Sequence, residues 1–143
     1  MLIRTIVVGL DRSERAKEVL AAAVELAKEH EAKIVAVRGV GMPVDFPETI
    51  VPMSMTNLAD TMLKEAQSAL NTQVKDVPPG LLLKAEARFG TAWQVVCEIA
   101  KEAKADLVVI GTHSRSALDM VLGTTAARIT NHAHCSVMIV RHS

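Results

Sequence analysis

Aromatic side chains are scarce in this sequence, which has no Tyr, two Phe and one Trp among 143 residues. Proteins that bind single-stranded nucleic acid stack the bases on aromatic side chains along a positively charged groove. The 16 basic and 16 acidic residues cancel, so no excess of charge attracts nucleic acid or an anionic membrane surface. We therefore expect that nucleic acid is not a partner of this protein.

Long apolar runs and cysteine motifs are also absent. No apolar run approaches the ~18 residues that a helix needs to cross a bilayer. Met1 leads directly into a strand-like run, with no signal-peptide pattern before it. The two cysteines, Cys97 and Cys135, have no CxxC spacing, which is typical of buried, reduced cysteines. These features predict a cytoplasmic protein that does not insert into membranes.

Apolar residues follow an alternation of strands and helices. Short β-branched runs predict strands, and apolar residues spaced by three and four predict helices. Pro43, Pro47 and Pro52 exclude regular structure over most of residues 39–54. The predicted strands are 3–9, 33–38, 81–89, 107–110 and 136–141, and the predicted helices are 13–30, 55–75, 91–104 and 123–133.

This alternation predicts one α/β domain over residues 1–143. We expect a three-layer sandwich with a five-stranded parallel sheet in the order 3-2-1-4-5 and four helices. Ligands of open parallel sheets lie beyond the carboxyl ends of the strands, where the strand order reverses. Asp11, Gly39 and Gly111 follow strands one, two and four. The predicted order would therefore bring these three residues to one crevice.

A loop bracketed by two glycines is the clearest indication of a ligand. Gly111 follows the buried strand 107–110, and Gly123 precedes Thr124 and Thr125 at the start of a helix. Glycines let main-chain N–H groups approach an anion, and hydroxyl groups and the positive helix end hold it. The segment predicts a phosphate-bearing ligand such as a nucleotide. Ordinary loop and helix-capping chemistry is the alternative.

Several segments resemble the universal stress protein family, and the likeness covers the whole chain. They are residues 6–13, 105–113, 123–126 and 132–140. The resemblance implies the α/β sandwich predicted above and a homodimer that pairs through the last strand, 136–141. One branch of the family binds ATP in the crevice, and another branch binds no nucleotide.

The ATP-binding branch is similar to this chain at Gly111, Gly123 and Thr124. Ser114 stands where that branch has a second glycine, and eight residues rather than nine separate Ser114 from Gly123. Arg12 also replaces a glycine of the opening motif. The resemblance implies ATP, with or without Mg²⁺, as the ligand. The implied site is Gly9, Leu10, Asp11, Gly39, Gly111, Thr112, His113, Ser114, Arg115, Gly123, Thr124 and Thr125.

Individual residues have more than one interpretation. Asp11 contacts the ribose, or a phosphate through Mg²⁺, in one interpretation and is the N-cap of the first helix, with Ser13 as a rival cap, in another; the two roles are compatible. A carboxylate beside phosphates repels them without a cation, so the ligand role predicts dependence on Mg²⁺. Gly39 either presents its backbone to adenine or ends the strand. His132, His134 and Cys135 either bind a metal or mark the end of a helix.

These expectations describe an ATP-binding stress-response protein in which the ligand biases the binding of an unidentified protein partner. One alternative is an interaction module of the same fold that binds no nucleotide, and another is a slow ATPase. The sequence has no P-loop lysine, no G-x-S-x-G and no HExxH. Since no residue clearly orients an attacking water, any ATP hydrolysis is expected to be weak.

Overall fold

The computed structural model describes residues 1–41, 53–112 and 124–141, with the backbone alone for residues 53–56. The strands are β1 (Thr5–Gly9), β2 (Lys33–Val40), β3 (Leu82–Phe89), β4 (Leu107–Gly111) and β5 (Ser136–Val140). The helices are α1 (Ala16–His30), α2 (Met53–Gln73), α3 (Ala92–Glu102) and α4 (Thr124–His132).

The strands form one sheet in the order β3-β2-β1-β4-β5, and all of its pairings are parallel. The central strand β1 fixes the register, since Val8 pairs with Ala36 of β2 and with Val109 of β4. The predicted fold class and strand order are confirmed. The order reverses between β1 and β4, and the carboxyl ends of all the strands lie at one edge of the sheet.

Alternation along the strands places the core on both faces of the sheet. Ile6, Val8 and Ile34 belong to a buried cluster that includes residues of α1 and α2. Val7 and Val35 belong to a second cluster that includes residues of α3 and α4. A parallel sheet covered on both faces requires apolar residues at consecutive positions, which is why β1 and β4 are nearly uninterrupted apolar runs. The described helices include none that is long and apolar enough to cross a membrane.

Several element boundaries differ from the prediction. Strand β2 continues to Val40 because Gly39 and Val40 pair with Arg88 and Phe89 of β3. Gly39 therefore lies within the strand and does not end it. Helix α1 begins at Ala16 rather than Ser13, and α2 begins at Met53 rather than Met55. Most of the proline-rich segment lies outside the described residues.

The two edge strands differ in chemistry. On β3, Arg88 donates hydrogen bonds to Glu86 at 2.8 Å and, through both terminal nitrogens, to Glu102 of α3 at 2.7 and 3.0 Å. Lys84 adds a salt bridge to Glu86 at 3.1 Å. Strand β5 reads Ser-Val-Met-Ile-Val, and its Met138 side chain is 37% exposed. One edge is therefore charged and the other is largely apolar.

Candidate functional site

A cleft of about 250 Å³ lies at the carboxyl edge of the sheet, where the strand order reverses. It is formed by strands β1, β2 and β4, by the turn after β1, and by the first turns of α1, α3 and α4. Its lining residues are Gly9, Leu10, Asp11, Arg12, Ser13, Arg15, Ala16, Val19, Val37, Arg38, Gly39, Ala92, Val96, Gly111, Thr112 and Thr125.

Much of the predicted site converges on this cleft. The seven predicted residues that line it are Gly9, Leu10, Asp11, Gly39, Gly111, Thr112 and Thr125. Thr124 begins α4, is exposed, and is not among the lining residues. His113, Ser114, Arg115 and Gly123 lie outside the described residues. The turn after β1 and the end of β4, about 100 residues apart in sequence, therefore meet at one place.

Gly39 is required by the close approach of β2 and α3. A Cβ atom at this position would lie 2.8 Å from the Cα of Ala92 and 2.9 Å from its nitrogen. Both are backbone atoms and cannot rotate away. Gly111 faces the opposite wall, where an added Cβ would lie 2.8 Å from a methyl group of Val19. The absence of side chains at these two glycines keeps the strand ends close to the first turns of the helices.

The carboxylate of Asp11 organises the turn after β1. Its Oδ1 accepts hydrogen bonds from the Ser13 main-chain nitrogen at 2.8 Å and from the Ser13 hydroxyl at 2.6 Å. This is an Asx-turn, in which a side chain binds the backbone two residues later. The N-cap of α1 is Arg15, which has no side-chain capping bond. The alternative that Asp11 or Ser13 is the N-cap is therefore wrong, because the turn takes up both residues before the helix begins.

Two main-chain amides at the cleft already have acceptors within the protein. The N–H of Leu10 donates to the carbonyl of Val37 at 3.0 Å. The N–H of Thr112 donates to the carbonyl of Val140 in β5 at 3.3 Å. These bonds hold the ends of neighbouring strands together. Neither N–H is therefore available to a ligand while these bonds are in place.

Arg38 is a cleft residue that the sequence analysis did not include in the site. It stands at the carboxyl end of β2, and only 6% of its surface is exposed. Its Nε donates to the carbonyl of Leu10 at 3.2 Å, and its Nη2 donates to the carbonyl of Asp11 at 3.1 Å. Nη2 also donates to Oε1 of Gln73 in α2. The sequence does contain a signal for this residue, since a charged arginine comes directly after the apolar residues 34–37 of a predicted strand.

Burial in the fold is the main reason that the pKa of Arg38 lies below its ordinary value. The nearby charge of Arg12 lowers this pKa further, and Asp11 opposes the change. A guanidinium starts from so high a pKa that it remains protonated at neutral pH. Arg38 therefore places a permanent positive charge beneath the turn after β1.

Two further arginines line the cleft, and one of them connects its walls. Nη1 of Arg15, at the start of α1, donates to the carbonyl of Thr112 at 3.3 Å. Arg12 lies in the Asp11 turn and is exposed. The described lining residues include three arginines, Arg12, Arg15 and Arg38, and one carboxylate, Asp11. The chain as a whole is neutral, so positive charge is concentrated in the cleft.

Of the residues that suggested a metal site near the end of α4, His132 has other contacts. The ring of His132 lies 4.7 Å from the ring of Trp93, and its Nδ1 is 2.8 Å from the carbonyl oxygen of Arg128. Burial raises the pKa of both the Cys97 and the Cys135 thiols. Within residues 1–41, 53–112 and 124–141, no group of three or more His, Cys, Asp or Glu side chains could hold a metal ion.

The comparison with known proteins agrees with the fold. The sequence profile of the universal stress protein family matches residues 2–141. The chain belongs to this family. A universal stress protein of Methanocaldococcus jannaschii is 30% identical over 142 residues, which are 98% of this chain and 83% of that protein.

Solved universal stress protein structures have the same architecture. UspA from Lactobacillus plantarum is similar with a TM-score of 0.80 and 25% identity, and the match covers 99% of both chains. A universal stress protein in complex with cAMP is similar with a TM-score of 0.69 and 21% identity over the full length of both chains. One from Archaeoglobus fulgidus in complex with dAMP has a TM-score of 0.56 and 21% identity, covering 97% of this chain and 98% of that one.

Proposed function

We propose that this universal stress protein binds an adenine nucleotide, ATP, in the cleft. The observation that carries the proposal is that three arginines and only one carboxylate are found among the described residues that line the cleft, at the point where the strand order reverses. Guanidinium groups match phosphate oxygens in geometry and charge. In a chain without net charge, this concentration favours an anionic ligand at this cleft over other sites in the described residues.

The choice of adenine is supported by the relatives. The two universal stress protein complexes of the same fold contain cAMP and dAMP, which share an adenine base, a pentose and a phosphate. In this chain, Gly39 and Val37 at the end of β2 offer a narrow wall to the base, and the arginines offer positive charge to the phosphates. Thr112 and Thr125 add hydroxyl groups at the opposite side.

The residues of the cleft fit a bound Mg²⁺ only through Asp11. Mg²⁺ prefers oxygen ligands in an octahedral arrangement and is commonly held by one or two carboxylates together with phosphates and water. Asp11 is the single carboxylate among the described lining residues, and its Oδ1 already accepts two bonds from Ser13. Mg²⁺ would therefore take most of its ligands from the nucleotide and from water.

Binding is the extent of the proposed activity. Within the described cleft, no carboxylate or imidazole other than Asp11 could act as a general base. Phosphoryl transfer to water needs a group that orients the attacking water. We propose a cytoplasmic, homodimeric binding protein of the stress response whose ligand biases contact with a protein partner.

A titration with a fluorescent ATP analogue, with and without Mg²⁺, tests the proposal. Arg12→Ala removes a positive charge from the cleft and should weaken binding several-fold. Arg4→Ala removes an exposed positive charge at the amino ends of the strands, away from the cleft, and should have no effect on binding. Asp11→Ala should abolish any Mg²⁺ dependence. If the wild-type protein shows no saturable binding below about 1 mM, a binding free energy weaker than about −4 kcal/mol, the nucleotide hypothesis fails. The interaction module without nucleotide would then be preferred.

A further inference from the structure

Arg38 is buried in an unusual way for a charged residue. Among the residues whose burial the structure describes, it is the only polar or charged residue in the buried class. Burying a charge is unfavourable unless the charge is paired and hydrogen-bonded. The described residues provide Arg38 with no salt-bridge partner within 4.0 Å. Its partners are two main-chain carbonyls and an amide side chain instead.

Those partners are concentrated on one short turn. Arg38 donates to the carbonyls of both Leu10 and Asp11, the first two residues after β1. Gln73, from the last turn of α2, accepts from Arg38 and donates its own Nε2 to the same Asp11 carbonyl at 2.9 Å. The Asp11 carbonyl therefore accepts bonds from two side chains, on β2 and α2, and the peptide that follows Asp11 cannot rotate without breaking both.

The arrangement is not optimised for stability alone. Nη1 of Arg38 is buried and has no hydrogen-bond partner among the described residues. An unpaired buried donor is unfavourable, and so is a buried charge that has no opposite charge beside it. Since burying this cation costs free energy of folding, we explain its presence by its effect on the conformation of the turn after β1.

We propose that Arg38 is the positioning residue of the Asp11 turn, assisted by Gln73. By fixing the Leu10 and Asp11 carbonyls, it sets the direction in which residues 11–13 face the cleft. This inference rests on the proposed function, because the conformation it fixes is the one that receives the nucleotide. Arg38 acts through the main chain, and its role differs from that of Arg12, whose charge is exposed at the cleft.

The central experiment compares Arg38→Met with Arg38→Lys. Methionine keeps the apolar stem and removes all donors, and lysine keeps the charge but lacks the fork that reaches two carbonyls. We expect Arg38→Met to lose about tenfold or more in affinity for the ATP analogue, the equivalent of one or two hydrogen bonds. Arg38→Lys should recover part of this loss. The urea midpoint of Arg38→Met should stay near that of the wild-type protein.

A second measurement reports on the turn without any nucleotide. Hydrogen exchange of the Ser13 amide, which donates to Asp11, should accelerate in Arg38→Met, while exchange of the Val8 amide in the centre of β1 should not. Gln73→Glu keeps an acceptor for Arg38 but removes the donor to Asp11, so Ser13 exchange should accelerate there as well. Arg4→Met, an exposed arginine distant from the turn, is the matched control.

The outcomes separate the two proposals. If the wild-type protein binds no ATP analogue, the proposed function fails, and Ser13 exchange alone decides whether Arg38 positions the turn. Unchanged Ser13 exchange in both Arg38→Met and Gln73→Glu overturns the positioning role, whatever the affinities. A loss of affinity in Arg38→Met accompanied by an equal acceleration at Val8 also overturns it, since that pattern indicates general destabilisation. If Arg38→Met does not fold, Arg38→Lys and Gln73→Glu are judged by the same criteria.

Discussion

The guanidinium of Arg15 reaches the main-chain carbonyl of Thr112 across the cleft, with 3.3 Å between Nη1 and the oxygen. The bond joins residues 97 positions apart in sequence. It ties the start of α1 to the loop that leaves β4, and these two segments form opposite walls of the cleft. Arg38 makes the corresponding connection from β2 to the turn after β1.

Arg15→Met should therefore separate a geometric effect from a charge effect. It removes the bond to Thr112 and one positive charge, and its cost in the free energy of unfolding should be about 0.5 to 1.5 kcal/mol. Arg12→Met removes a positive charge from the same cleft, and no side-chain bond from Arg12 to the opposite wall is described. We expect the larger loss of ATP-analogue affinity in Arg15→Met, measured by fluorescence titration. Equal losses in the two variants would mean that charge alone matters.

Gly39→Ala should destabilise the protein. Its Cβ would lie within 3 Å of two backbone atoms of Ala92, so β2 and α3 must move apart. Overpacking of this kind costs about 1 to 3 kcal/mol, measured by urea unfolding. Gly80→Ala is the matched control, since an added Cβ there meets nothing within 4 Å. A Gly39→Ala protein as stable as Gly80→Ala would contradict the described approach of β2 and α3.

Asp106 should contribute a pH-dependent part of the stability. Its Oδ2 accepts the main-chain N–H of Arg4 at 2.8 Å and that of Thr5 at 3.0 Å. The Arg4 bond, followed by the Thr5 bond, holds the pKa of this carboxyl below its usual range. A carboxyl with a lowered folded pKa stabilises the fold above its unfolded pKa of about 4. That contribution is lost as the pH falls through the folded value.

Asp106→Ala should consequently unfold more easily at neutral pH, by about 1 to 2 kcal/mol for two partly exposed charge-assisted bonds. The difference from the wild-type protein should shrink as the pH falls below about 4. Urea unfolding at several pH values measures this difference. Asp60→Ala, which removes an exposed carboxylate from α2, is the control. A difference that stays constant down to the lowest pH would refute the assignment.

Met138→Lys tests the proposed homodimer. Met138 is 37% exposed on the edge strand β5, where a buried lysine charge would oppose pairing of two chains. Leu83→Lys makes the same change on the other edge strand, where Leu83 is 60% exposed. We expect Met138→Lys to be monomeric and Leu83→Lys to resemble the wild-type protein in analytical ultracentrifugation. A wild-type protein that is itself monomeric would exclude the dimer.

The sequence was sufficient for the fold because apolar periodicity reports directly on burial. Consecutive apolar residues at 6–8 and 107–110 predict strands covered on both faces, and both strands lie in the interior of the sheet, with a neighbour on each side. The meeting of Asp11 with Gly111 then follows from the strand order and the common direction of parallel strands.

Polar contacts were harder to predict, since they depend on partners distant in sequence. Gln73 lies 35 residues after Arg38, and nothing in the spacing of α2 marks it as a partner of the first turn. Local rules also failed at residues 11–14, where capping-box spacing is present but the chain forms an Asx-turn before the helix begins. Rules for helix starts consider one helix, whereas this turn is also bound by β2 and α2.

The contrast between the two edges of the sheet limits how copies of this chain can add to one another. Strand β3 carries Lys84, Glu86 and Arg88, whose charges are engaged with one another and with α3, and charged edge strands resist further pairing. In the proposed homodimer, contact through β5 would use the same surface on both copies and would close on itself. Growth of the sheet into an open filament would then stop at two chains.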